Sequence, residues 1–135
     1  KKDMTRPILT NALTHGLSLV GDMFVDSGDT LLLPTHNWGN YKLVYSTRHN
    51  AEIETYDIFD EEGHFTTEAL VNTLENYKKD KVILILNYPN NPTGYTPTQD
   101  EVTTIVNAIK SLAERGTNVI ALVDDAYYGL FYEDV

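Results

Sequence analysis

Two uninterrupted apolar runs limit most tightly what this chain can fold into: VILIL at 82–86 and NVIALV at 118–123. Each is short for a helix, and neither alternates apolar with polar residues. A strand with one solvated face alternates, whereas a continuous run needs cover on both faces. The segment between them, TPTQDEVTTIVNAIKSLAER, reads as a helix running to about Arg115. Thr96 with Gln99, or Thr98 with Glu101, forms a capping box at its start, and Pro97 suits its first turn. Val102, Ile105, Val106, Ile109 and Leu112 recur on one face, and Gly116 ends it. A strand, a covering helix and a second buried strand together predict a parallel pair.

The upstream residues extend that pattern. Residues 15–26, HGLSLVGDMFVD, predict a largely buried helix on Leu17, Val20, Met23 and Phe24, with Thr14 at its N-cap. TLLLP (30–34) predicts a strand, THNWGN a loop, and YKLVYSTR a short helical stretch. AEIETYDIF (51–59) alternates around Ile53, Tyr56 and Ile58 and predicts another strand. TTEALVNTLENYKKD (66–80) places Leu70, Leu74 and Tyr77 on one helical face and closes in lysines, which suit a helix C-terminus. The expected fold is α/β, a three-layer α/β/α arrangement with a mainly parallel sheet.

Composition narrows the function. The 135 residues suffice for one core, so residues 1–135 are read as a single piece without repeats or linkers. The chain neither begins with Met nor closes after a capped helix, and it is expected to be excised from a longer protein. Its net charge of −10 argues against a broad nucleic-acid or anionic-membrane surface, though not against a small local phosphate site. With no cysteine there is no disulfide or thiolate metal site; His15, His36, His49 and His64 lack metal-ligand spacing, and all but His15 read as loop or surface groups. No apolar run approaches the roughly 20 residues of a membrane span. KKDMTRPILTN does not read as a signal peptide, and a cytoplasmic location is expected.

In open α/β sheets, ligands bind beyond the carboxyl ends of the strands. Three such ends carry unusual residues: THNWGN at 35–40, NYPNNPTG at 87–94, and Asp124-Asp125-Ala126-Tyr127-Tyr128-Gly129. Parallel strands bring those ends to one edge of the sheet, so an aromatic plate, an amide, a carboxylate and a phenol can converge. The start of the 15–26 helix adds backbone N–H groups and a positive dipole end suited to an anion. The middle segment fixes φ at Pro89 and Pro92 around Asn90 and Asn91, and Asn87 and Asn90 are expected to serve the loop's own hydrogen bonds.

Asn91-Pro92-Thr93-Gly94, followed about 30 residues later by Asp124-Asp125-Ala126-Tyr127, resembles the signature of the class I and II aminotransferases that use pyridoxal 5'-phosphate, fold type I. Trp38-Gly39-Asn40-Tyr41 resembles the family's aromatic site, and Leu13-Thr14-His15-Gly16 falls where its phosphate loop lies. The resemblance covers about residues 10–132. It implies that Asp124 faces the cofactor's ring nitrogen and that Asn91 and Tyr127 bond its phenolic oxygen. It further implies that Trp38 stacks on the ring, and that Thr14, His15 and the helix start hold the phosphate. The implied reaction moves an amino group from an amino acid to a 2-oxo acid, in a homodimer. The phosphate loop departs from the family's small residues at Leu13 and His15. The family's Schiff-base lysine would follow Asp124 by some 30 to 40 residues, beyond Val135. Lys1, Lys2, Lys42, Lys78, Lys79, Lys81 and Lys110 do not occupy that place, so no catalytic residue is assigned and this segment alone is expected to be inactive. The same scaffold serves C–S lyases, and also regulators that join an aminotransferase-like domain to a basic winged helix.

Overall fold

The computed structural model describes residues 5–132; Lys1 and Lys2 lie outside them. The chain runs through α1 (Leu13–Phe24), β1 (Thr30–Pro34), a π-helical segment (Lys42–Thr47), β2 (Glu52–Tyr56), α2 (Glu68–Glu75), β3 (Lys81–Asn87), α3 (Gln99–Glu114) and β4 (Asn118–Asp124). The four strands form one parallel sheet in the order β2-β1-β3-β4. From β1 the chain moves outward to β2, then returns past β1 to β3. The direction of winding therefore reverses between β1 and β3, which is where open α/β sheets leave a crevice.

Side chains alternate across each strand, so the buried runs divide into two cores. Leu32, Val82 and Leu84 meet Leu70, Leu74, Ile105 and Leu112 of α2 and α3 on one face. Leu31, Leu33, Ile83 and Ile85 meet Leu17 of α1 and Tyr41 and Tyr45 on the other. All five residues of β1 are buried, as the covered-sheet argument requires. The equally apolar run of β4 is not: it forms the sheet edge, with Val119, Ile120 and Leu122 half-buried and Val123 71% exposed. The three layers of the expected fold are present. At the amino ends of the strands, Lys79 pairs with Glu52 and Glu54 at 2.9 Å each, and Lys81 with Asp29 at 2.6 Å.

Several local expectations change. α1 begins two residues earlier than expected, and its N-cap is Ala12, with no side-chain cap. Thr14 therefore stands inside the first turn, not at the cap. The helix is less buried than its apolar content suggested: Leu17 and Gly21 are buried, but Met23 is 69% and Phe24 45% exposed. No described element lies over that side. α2 stops at Glu75, with Asn76 as C-cap, short of the lysines. Tyr77 then turns inward, its hydroxyl donating to the Lys81 carbonyl at 2.8 Å, and Lys79 is released to the Glu52–Glu54 pair. Of the two possible capping boxes at α3, the structure forms Thr98 with Glu101. His49, read from the sequence as a loop or surface group, packs against Gly21 of α1.

Candidate functional site

The carboxyl ends of β1, β3 and β4 lie at one edge of the sheet, and the loops leaving them enclose a cavity of about 150 Å³. Leu13, Trp38, Tyr41, Asn87, Asn91, Asp124, Ala126 and Tyr127 line it. Strand register sets its floor. β3 and β4 pair residue for residue from Lys81 and Asn118 up to Asn87 and Asp124, so two polar side chains end the two runs side by side. The Asn87 side chain donates to the Asp124 carbonyl at 3.0 Å and accepts from the Asn91 N–H at 2.8 Å. It thus joins the two strand ends and also fixes the loop that follows β3.

That loop is closed by its own hydrogen bonds. Asn90 N–H donates to the Tyr95 carbonyl at 2.9 Å and Gly94 N–H to the Asn90 carbonyl at 2.6 Å. The Asn90 side-chain oxygen accepts from the Thr93 N–H and hydroxyl, and its amide donates to the His36 carbonyl at 3.2 Å, tying this loop to the one after β1. Gly94 has φ of 76°, a left-handed conformation that suits a residue without Cβ. Asn91 differs from its neighbours. Among the described residues its carboxamide makes no hydrogen bond, and it lines both this cavity and an adjoining one of about 300 Å³.

Asp124 is only 3% exposed. Its Oδ2 accepts from the Tyr41 hydroxyl at 2.5 Å and its Oδ1 from the Ala126 N–H at 3.1 Å. Both donors are neutral, and among the described residues no Lys, Arg or His pairs with this carboxylate. Burying a charged carboxylate without a cation is costly, so the cavity suits a ligand that brings a positive group to this point. Tyr127 also lines both cavities, and its hydroxyl is unpartnered among the described residues. Trp38 contacts Tyr41 edge to face, the ring centres 5.5 Å apart and the planes at 89°.

Four of the residues singled out from the sequence, Trp38, Asn91, Asp124 and Tyr127, thus surround one cavity. Thr14 and His15 are exposed in the first turn of α1 and do not line it, but the preceding Leu13 does. His15 Nδ1 accepts from the Asn11 N–H at 3.2 Å. With neither a side-chain cap nor an acidic residue in that turn, the backbone N–H groups at the start of α1 are available to an anion. The sequence reading places Tyr41 in the aromatic stretch without a role of its own and does not count Asn87 among the site residues. Tyr41 had a signal, three residues after Trp38 in a helical stretch. Asn87 depended on the register between β3 and β4.

The sequence profile of the family described as aminotransferase class I and II matches residues 2–135. A histidinol-phosphate aminotransferase of Ruminiclostridium cellulolyticum is 31% identical over 113 residues, covering 82% of this chain and 28% of that protein. An aminotransferase structure from Anaerococcus prevotii superposes with a TM-score of 0.73 at 21% identity, over 82% of this chain and 28% of that one. Cystalysin from Treponema denticola, whose structure contains pyridoxal 5'-phosphate, gives a TM-score of 0.64 at 20% identity, over 81% and 26%. This chain belongs to the aminotransferase class I and II family. It spans about a quarter of the length of the relatives it matches.

Proposed function

We propose that the whole protein is an aminotransferase in which this segment, a piece of the large domain, binds pyridoxal 5'-phosphate. The observation that carries the reading is Asp124, a buried carboxylate with neutral donors on both oxygens and no cation beside it among the described residues, at the floor of a cavity beside Trp38. A protonated pyridine nitrogen supplies the missing positive charge. The unpartnered amide of Asn91 and hydroxyl of Tyr127 fit the same group, as hydrogen-bond donors to its phenolic oxygen. Trp38 offers a flat apolar wall to the ring, and the open N–H groups of α1 suit its phosphate.

When bound, the cofactor supplies an electron sink for the carbanion of an amino-acid substrate. This chain's residues bind and orient it. Asp124 holds the proton on the ring nitrogen, and the side chains around it exclude water from that contact. None of the described lysines lines the cavity, and Lys79 and Lys81 lie at the opposite edge of the sheet. The lysine that attaches the cofactor and moves the substrate proton is assigned to another part of the protein. A homodimer, a cytoplasmic location and amino-acid with 2-oxo-acid substrates complete the reading, and these rest on the family resemblance.

The test uses full-length protein. The wild type should show the visible-to-near-UV band of bound cofactor and, with a donor amino acid that becomes its 2-oxo acid, form glutamate from 2-oxoglutarate. Asp124→Ala should lower turnover by orders of magnitude while its circular dichroism stays unchanged. Near-normal turnover in that variant overturns the assignment of Asp124. Pyruvate released from cystathionine, without glutamate formation, replaces aminotransfer by C–S elimination on the same site.

A further inference from the structure

Tyr95 closes the loop that carries Asn91, yet it lines neither cavity. Its hydroxyl donates to both carboxylate oxygens of Glu101, at 3.1 and 3.0 Å, and the Thr98 N–H fixes Glu101 in the first turn of α3 at 2.7 Å. Its ring stacks on Phe65, the centres 4.1 Å apart and the planes at 10°, and Phe59 stands edge-on to both. His36 meets Phe59 edge to face at 5.5 Å, so the cluster reaches the loop after β1, close to Trp38. The Tyr95 carbonyl accepts from the Asn90 N–H at 2.9 Å, and the His36 carbonyl accepts from the Asn90 side chain at 3.2 Å. Both the backbone and the side chain of Asn90 are therefore held by this one cluster, and Asn91 is the next residue. Burial first, and then the hydrogen bond to Glu101, push the Tyr95 phenol up to about 12, so it remains a donor across the physiological range.

We propose that Tyr95 is a positioning residue, which through Asn90 aims the Asn91 amide at the phenolic oxygen of the cofactor. This rests on the reading of the site given above. The Asn91 carboxamide has no hydrogen bond of its own among the described residues, so its direction is set by the backbone that carries it. A hydrogen bond weakens steeply as its distance and angle depart from the optimum, and a supporting shell that is too loose loses the contact it serves. Because the effect passes through Asn91, it should depend on the phenolic oxygen and vanish once the Asn91 amide is gone. A general packing role would do neither.

The experiment measures equilibrium affinity of the full-length apoprotein for two probes: pyridoxal phosphate, and its 3-deoxy analogue, which lacks the phenolic oxygen. Tyr95→Phe keeps the ring stacked on Phe65 and removes only the hydroxyl that reaches Glu101. It should weaken pyridoxal phosphate binding about fivefold and leave the 3-deoxy analogue within about twofold. In an Asn91→Ala background the same substitution should change neither affinity. Equal weakening of both probes, no weakening of either, or an effect that persists without the Asn91 amide overturns the proposal. Should Tyr95→Phe fail to fold, Phe65→Leu, which removes the stacked ring and keeps the hydroxyl, is read with the same two probes and the same criteria. Wild-type protein that binds no pyridoxal phosphate refutes the function, a separate outcome from a failure of Tyr95.

Discussion

Asn87, Asn90 and Asn91 share a loop and a side chain, but their hydrogen bonds set them apart. Asn87 joins the Asp124 carbonyl to the Asn91 N–H, and Asn90 joins Thr93 to His36, while the Asn91 amide has no partner among the described residues. Replacing Asn87 by Ala leaves a buried carbonyl and an N–H unsatisfied. It should lower the unfolding free energy of the full-length apoprotein by about 1–3 kcal/mol in urea titration. Asn91→Ala should change it by less than about 0.5 kcal/mol, with its effect appearing in cofactor affinity. A loss at Asn91 as large as that at Asn87 would mean that the amide is structural. Sequence singled out Asn91 because it stands in the Asn-Pro-Thr-Gly motif. It expected Asn87 to serve its own loop, whereas half of what Asn87 does is to hold the end of β4. That partner lies 37 residues away, and only the pairing of β3 with β4 brings it near.

At the scale of the element, α1 and α3 are built by different means. The start of α3 is local chemistry. Thr98 accepts from the Glu101 N–H at 3.4 Å, and Glu101 accepts from the Thr98 N–H at 2.7 Å and from the Tyr95 hydroxyl at 3.0 and 3.1 Å. Thr98→Ala should cost about 1 kcal/mol and Glu101→Ala more, because the latter also releases Tyr95. Equal losses in denaturant titration would leave the tyrosine contact without weight. In α1 the controlling residue is Gly21. Alanine in a helix interior is ordinarily better by about 1 kcal/mol, but here a Cβ would stand 2.7 Å from His49 Nε2 and 3.0 Å from its Cδ2. Gly21→Ala should therefore destabilise the protein by about 1–3 kcal/mol. A gain in melting temperature would show that the ring moves aside freely. The Thr98–Glu101 box was one of two candidates in the sequence, since its partners lie three residues apart. The need for Gly21 was not visible, because His49 meets it only after β1 and the π-helical segment have folded back.

The whole molecule responds to alkali through its tyrosines. Tyr56 is 4% exposed, its hydroxyl meets no hydrogen-bond partner among the described residues, and burial, with Tyr88 beside it, raises its phenol far above the ordinary value. Burial, then the charge of Glu101, pushes Tyr88 up to about 12. A folded-state value above the unfolded one means that folding favours the protonated phenol. The contribution is complete below about pH 10 and is lost as pH rises above it. Stability should thus fall steeply above about pH 10, with tyrosinate absorbance appearing together with unfolding. Tyr56→Phe removes one of the protons involved and should make the fall shallower; an unchanged slope would mean that Tyr56 ionises without unfolding the chain.

What the sequence by itself determined is whatever acts within a few residues or through a repeat. The continuous runs in β3 and β4 called for a parallel sheet, though β4 lies uncovered at its edge, and the motif residues Asn91, Asp124 and Tyr127, with Trp38, marked strand ends that carry chemistry. The tertiary structure decided what depends on strand order and register. It set Asn87 beside Asp124, brought Tyr41 onto the same carboxylate, and left that carboxylate buried without a cation among the described residues. It also seated Leu13, in place of Thr14 and His15, against the cavity. The division follows from range: spacing along a chain fixes periodicity and caps, while the partner of a buried charge is chosen by whichever distant segments the sheet brings to its edge.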